Sequence, residues 1–384
     1  MGNMVATQVV VKVPGKVMLA GEYAILFGLS DALACSLSCY LTVTCKRVCD
    51  LNQIAPGMIT VQSDLWHEPK SYQLGALLEL TSSTAMSLGR VFYTLYRLLT
   101  ELKENGDNHT HVSDYHYHMT IGSQIPLMAG FGSSSALKLA VLFGFVRCAG
   151  LSVKDQMLLS IAYQSQADFQ GGFASGYDVL VQYYGGLVTS SYVGAHQQVQ
   201  VKHHQRDAKI ITALNQHFHL FSQEHQASPT GPLISHVLPK ILPSFSGDQI
   251  PLNGWSQNKQ RFDRRFLEIA SCHQDMIDMM TVGDFSDKLM MTMKQCRQLT
   301  CDFLGHDQGN AILSELEDKL ADCAGLDQTF SFKSTGAGGL DALLFVGQIP
   351  AEAVAILRET CYYRSPYVFT TDFLRVRDVS DHKS

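Results

Sequence analysis

Between Pro126 and Ala136 the chain places two glycines, Gly130 and Gly132, and three hydroxyls, Ser133, Ser134 and Ser135, directly ahead of an apolar run from Ala136 to Val146. The run reads as a helix. A helix start offers an anion unpaired backbone N–H groups and the positive end of a macrodipole. Glycine lets the backbone approach that anion without interference from a Cβ. The serine hydroxyls can cap the helix, and one can also reach a phosphate-bound Mg²⁺. The chemistry suggested is the grip on a phosphate; the plainer reading is a serine-capped buried helix. No Gly-Lys-Ser/Thr follows the glycines, so the segment is not a Walker A loop.

A chain of 384 residues can bury a large core, and the length suggests two domains. Hydrophobic residues make up 46% and charged residues 17%, a composition without a disorder signature. The net charge of −6, with lysine and arginine scattered, argues against nucleic acid or an anionic membrane as the main partner. Met1 to Val13 lacks the layout of a signal peptide, and no run of about 18 uncharged apolar residues suggests a membrane span. The ten cysteines then read as reduced thiols in a cytoplasm. Cys35, Cys39, Cys45 and Cys49 are unevenly spaced, unlike zinc knuckles. His109, His111, His116 and His118 resemble a metal cluster, but the alternation of Tyr115, Tyr117, Met119 and Ile121 with the last two histidines is that of a half-buried strand.

The elements that must position the serine loop follow from periodicity. Val9 to Val13 and Lys16 to Ala20 read as short strands separated by Pro14-Gly15, and Ala32 to Val48 as one or two longer ones. Helical spacing covers Thr84 to Lys103, and Val153 to Asp168 behind Ser152 as a plausible N-cap. A second glycine-rich loop, Gln170 to Asp178, leads through Gly185-Gly186 to a strand. The polar stretch Gln197 to Lys209 suits a domain junction, giving domains 1–205 and 206–384. Beyond it lie a strand at His217 to Ser222, a helix from Pro229 to Leu242 broken at Pro239, and three amphipathic helices, Phe262 to Met280, Phe285 to Phe303 and Asn310 to Asp322. Strands Phe330 to Lys333 and Ala342 to Val346 flank a third glycine-rich loop. A helix from Ala351 to Thr360 and a strand near Val368 complete an α+β second half.

Three such loops in a set order behind an early Pro-Gly-Lys resemble the GHMP small-molecule kinases. Pro14 to Tyr23 is similar to their first motif, Ile125 to Ala136 to the phosphate-binding second and Thr335 to Asp341 to the third. Gly21-Glu22-Tyr23 and the Gln170 to Val179 segment resemble the phosphomevalonate kinase branch, as does Ala227-Ser228-Pro229-Thr230. Two positions depart from the pattern, Leu340 and Ala174, each standing where a glycine is usual.

The resemblance implies an α+β, two-domain GHMP kinase fold: an N-terminal α/β domain with the phosphate-binding loop and a ferredoxin-like C-terminal domain. It implies transfer of the γ-phosphoryl of ATP, with Mg²⁺, to 5-phosphomevalonate. The alternatives are mevalonate or a sugar as acceptor, a diphosphomevalonate decarboxylase, or a sensor that binds nucleotide without turnover. Lys16 and Asp178 match the catalytic lysine and aspartate. Gly130, Gly132 and Ser133 to Ser135 would hold the nucleotide phosphates, and Ser134 would contact the metal. Glu22, Tyr23, Ser175, Gly176, Ser228, Thr230, Gly336, Gly338 and Asp341 fall on the acceptor side. Lys70, Lys138, Arg147 and Lys333 are the basic residues near the motifs, and Lys138 reads at least equally as a surface residue. The implied partner is a small molecule, bound by a monomer or homodimer.

Overall fold

The computed structural model describes residues 8–48, 57–64, 66–106, 110–127, 129–172, 174–193, 198–223, 237–243, 259–304, 319, 330–336, 342–360 and 362–379. Two sheets organise them. The first is built from β1 (Gln8–Ala20), β2 (Ala32–Val48), β3 (Met58–Ser63), β4 (Lys70–Gln73), β5 (His116–Ser123), β6 (Leu187–Val193) and β7 (Gln198–Gln205). Its order is β1-β2-β5-β3-β4, with β6 pairing β2 and β7. Among the described residues, only the β3–β5 pairing within it is parallel. Along β2, Cys39, Leu41, Val43 and Cys45 are buried while Tyr40, Thr42 and Thr44 are partly exposed, so the two-residue period sets one face inward.

The chain reads Val9–Val13 and Lys16–Ala20 as two strands, but they form one, bent by a register shift between Pro14 and Gly15. Proline donates no ladder hydrogen bond, which places it naturally at such a bulge. The periodic stretch Thr84–Lys103 divides instead into α1 (Ser82–Ser87) and α2 (Arg90–Glu104), parted at Gly89 with φ 93. Ser133–Ala149 forms α3, three residues longer at its start than the apolar run, and Asp155–Phe169 forms α4 behind Lys154 instead of Ser152. Helix α3 is buried on nearly every side; at its Gly144 a Cβ would touch Val11, Val43 and Cys45 of β1 and β2 at 3.5–3.8 Å. Tyr177–Tyr184 forms α5 and Ala208–His217 forms α6.

The second sheet comprises β8 (Phe218–Gln223), β9 (Phe330–Ser334), β10 (Leu343–Gly347) and β11 (Tyr362–Arg364), in the order β11-β8-β10-β9 and antiparallel throughout. Helices α7 (Arg264–Thr281) and α8 (Asp287–Leu304) lie between β8 and β9 in sequence, and α9 (Ala351–Glu359) between β10 and β11. With α7 and α8 counted as one crossover, this is the ferredoxin-like β-α-β-β-α-β succession. Phe221, Phe330, Phe332 and Phe345 form its aromatic core. The last strand, β12 (Arg375–Val379), returns to the first sheet and pairs with β1. The strand expected near Val368 is only a single bridge, Leu37 to Phe369.

Cys35, Cys39 and Cys45 are buried free thiols, and Cys49 lies outside the described residues. Among the described residues no cluster of three or more His, Cys, Asp or Glu could hold a metal ion. His116 and His118 stack on β5 at 4.5 Å between ring centroids, and burial, then His118, lowers the His116 pKa. No described helix is long and apolar enough to cross a membrane.

Candidate active site

The bulge in β1 brings the strand against the phosphate-type loop. A Cβ on Gly15 would meet Cys39 Sγ at 2.5 Å and Phe131 O at 3.3 Å, so the close approach needs a residue without one. Next along the strand, Lys16 N donates to Phe131 O at 2.9 Å. The Lys16 side chain is 7% exposed; its Nζ donates to Gly130 O at 2.9 Å and to Tyr177 Oη at 2.8 Å. Gln182, from α5, donates through Nε2 to Gly132 O at 2.9 Å. The loop is thus tied to residues about fifty positions after it and more than a hundred before it.

Gly132, at φ 81, is the N-cap of α3 and supplies no side-chain cap. A serine cap was the plain alternative for this segment, and the hydroxyls are used otherwise: Ser135 Oγ donates to Gly132 O at 3.1 Å and Ser134 Oγ to Gln166 Oε1 at 3.2 Å. No side chain therefore caps the amides that open α3, the state in which a helix start can accept an anion.

Asp178 stands in the first turn of α5, beside Tyr177 and behind Ser175 and the N-cap Gly176, and its Oδ1 accepts from Val179 N at 3.0 Å. Its charge is felt on both sides. It opposes the fall in the Lys138 pKa, and it adds to the rise that burial imposes on the Tyr177 phenol, against which Lys16 acts. Lys16, Tyr177, Asp178 and the α3 start form one neighbourhood. Tyr177 lies within the Gln170–Val179 motif but takes no role from it, and Gln182 carries no motif signature, only its place on the helix after the second glycine loop.

Lys138 is not a surface residue. It is fully buried, folded back over the preceding turn of α3. Its Nζ donates to Ser134 Oγ at 2.8 Å, Ser134 O at 3.3 Å and Gln166 Oε1 at 2.5 Å. Burial pushes its pKa down to about 7, Arg90 adds to the fall, and Asp178 opposes it. An anion in the loop would restore the charged form. This arrangement does not fit Ser134 as a Mg²⁺ ligand: the Lys138 amine already bonds the hydroxyl oxygen and the O–H is directed to Gln166, so a cationic donor stands where a metal would have to approach.

Across from the loop, Glu22 and Tyr23 meet the second sheet. Tyr23, at φ 57, is the single non-glycine at positive φ among the described residues, a strain that the fold must hold in place. Buried Glu22 accepts from Lys333 Nζ through Oε1, and its Oε2 lies 3.4 Å from His273 Nδ1. Burial lowers the His273 pKa to about 4, Glu22 opposes the shift and Lys333 adds to it, so the ring is neutral near pH 7. Cys296 Sγ is 3.8 Å from the ring, its thiol pushed up by burial. Arg297 lies over the Phe332 ring at 4.1 Å. Glu22, Tyr23, His273, Arg297, Lys333 and Gly336 line a cavity of about 50 Å³. The first and third motifs thus share one cavity. Lys70 sits over Trp66 and Arg147 pairs with exposed Asp378, neither at this cavity. Ser228, Thr230, Gly338 and Asp341 lie outside the described residues.

Residues 91–186 match the family described as GHMP kinases N terminal domain. No curated protein matches the chain. Among solved structures, phosphomevalonate kinase from Streptococcus pneumoniae, in complex with phosphomevalonate and AMPPNP, is 16% identical over 95% of this chain and 100% of its own, with a TM-score of 0.60. Mevalonate kinase from Methanococcus jannaschii is 16% identical over 96% of both chains at a TM-score of 0.61. Lactococcus lactis galactokinase, complexed with galactose, is 12% identical over 96% of this chain and 95% of its own at 0.66. The fold is that of the GHMP kinases, and the segment that matches their N-terminal domain includes the serine loop and Asp178.

Proposed function

We propose, for a GHMP-family kinase by its N-terminal domain and fold, that the γ-phosphoryl of ATP is transferred to 5-phosphomevalonate, giving 5-diphosphomevalonate. The observation that supports it most is the Lys16 ammonium bonded to Gly130 O of the loop beneath the α3 start. Phosphoryl transfer needs positioning and charge neutralisation more than covalent help. The amides of Ser133 to Ser135 would hold the nucleotide's terminal phosphates, and Lys16 would stabilise charge on the transferring group. Mg²⁺ is proposed only as a counter-ion of the nucleotide's own phosphates. In this reading residues 1–205 hold the nucleotide, while 206–384 complete the acceptor side with Glu22 and Tyr23. The free thiols agree with a reducing cytoplasm.

The acceptor follows from chemistry. A phosphate monoester, with a second pKa of about 6, is already largely dianionic near pH 7 and requires no base. Asp178 would then orient Lys16 and the acceptor instead of removing a proton. Arg297, on the wall of the acceptor-side cavity, would supply cationic character for a phosphorylated acceptor, while Lys333 there is paired with Glu22.

A second reading, an alcohol acceptor with Asp178 as general base, is favoured by the comparable fold likeness to mevalonate kinase and galactokinase, at TM-scores of 0.61 and 0.66. ADP release with ATP and each of 5-phosphomevalonate, mevalonate and galactose separates the two. Turnover with mevalonate and none with its phosphate would overturn the first reading. Carbon dioxide evolved from diphosphomevalonate would point to the decarboxylase, and ATP binding without turnover on any acceptor to a sensor.

A further inference from the structure

Lys138 stands where the expected metal contact would be, and its surroundings give that position a different purpose. Its three N–H donors are all engaged: Ser134 Oγ, the Ser134 carbonyl and Gln166 Oε1. The amine is sealed in by the start of α3, by Gln166 of α4 and by the Phe169 ring 5.7 Å away. Ser134 itself is only partly buried. Its one donated bond, to Gln166 Oε1, is the longer of the two that oxygen receives, 3.2 Å against 2.5 Å from Lys138. An arriving phosphate oxygen can therefore take the Ser134 O–H while Gln166 keeps its partner.

Resting on the nucleotide reading above, we infer that Lys138 is a positioning residue that stands in for a metal ion at Ser134: it holds the hydroxyl oxygen from behind, turns the O–H toward a nucleotide phosphate, and keeps a divalent cation off that oxygen. A positive charge beneath a helix start that is itself positive favours an anion there and disfavours a second cation. The loop would consequently bind nucleotide phosphates without metal, with Ser134 as a hydrogen-bond donor.

Calorimetric titration with ATP in EDTA and with Mg·ATP tests this on the full chain, for the wild type, Lys138→Met and Ser134→Ala. Hydrogen bonds to charged groups suggest that Lys138→Met weakens metal-free ATP about tenfold or more and Mg·ATP by less. Ser134→Ala is expected to weaken both forms by the same factor. A purely structural lysine would move both forms together. The inference is overturned if Lys138→Met binds metal-free ATP as the wild type does or weakens both forms alike, or if Ser134→Ala weakens Mg·ATP alone. Should Lys138→Met lose its cooperative melt, the Ser134→Ala ratio decides by itself. A wild type that binds neither form would overturn the proposed function, and this inference with it.

Discussion

Gly132 lies flat against the Lys16 side chain: a Cβ built on it would stand 2.7 Å from Lys16 Cγ and 2.9 Å from Cε. The same lysine donates to Gly130 O, two residues earlier in the loop. Backbone packing and hydrogen bonding thus hold the ammonium and the α3 amides as one unit. Neither can shift without the other, which is the preorganisation that charge stabilisation during group transfer requires.

Gly132→Ala is expected to disturb both halves of that unit. Alanine at φ 81 is strained by about 1–3 kcal/mol, and its methyl must displace the lysine stem. We expect a loss of about 100-fold or more in kcat with a fall in Tm, measured by coupled ADP release and thermal melting. A variant with wild-type kcat would show that the loop and lysine are not mechanically joined.

Lys16→Met removes the ammonium bonded to Gly130 O and should lower kcat by about 100- to 1,000-fold, as for loss of a single preorganised donor. Tyr177→Phe removes one hydrogen-bond partner of Lys16 and is expected to cost about tenfold at most. With a phosphorylated acceptor, Asp178→Asn should fall between the two. Near-equal losses for Lys16→Met and Asp178→Asn across the pH range would instead favour Asp178 as general base.

What could be read from the chain alone was set by backbone demands. The serine loop, Pro14-Gly15-Lys16 and Gly21-Glu22-Tyr23 announce themselves because close approach and unusual φ restrict residue type. Lys138 does not: a lysine one turn into a helix has the pattern of a solvated residue, and only α4 packing over it buries the amine. His273 and Cys296 sit on separate helices, twenty-three residues apart, and meet Glu22 only through the tertiary fold. The break at Gly89 was invisible because apolar spacing continues across it. Near Val368 the alternation suits a strand, yet one bridge is all its neighbours offer.

Glu22 and Lys333 form a buried ion pair that joins the first motif to the strand leading into the third, across 311 residues. Removing one partner of such a pair leaves an uncompensated charge, at a typical cost of about 3–5 kcal/mol. Lys333→Met should therefore lower stability by an amount in that range, read by urea denaturation. Glu22→Gln keeps a hydrogen-bond acceptor for Lys333 and should cost less while raising the acceptor KM. Equal destabilisation by the two would mean that the carboxylate charge, more than the contact, decides the pair.

His273 gives a stability dependence on pH whose sign follows from its burial. Its pKa falls from 6.5 to about 4 in the folded protein, so between those values the unfolded chain binds a proton that the folded one does not. Its contribution is complete above pH 6.5, declines as pH falls toward 4, and levels off below. A shift of that size corresponds to about 3 kcal/mol. Glu22, the group opposing the shift, and Lys333, the group adding to it, are retained in His273→Gln. Comparing urea unfolding of wild type and His273→Gln at pH 7.0, 5.5 and about 4.5 isolates the histidine from the carboxylates that also titrate there. The difference between the two proteins should change by up to about 3 kcal/mol over that interval, in the direction of wild-type loss at low pH. A constant difference would mean that His273 gains its proton without leaving the fold, through rearrangement toward Glu22.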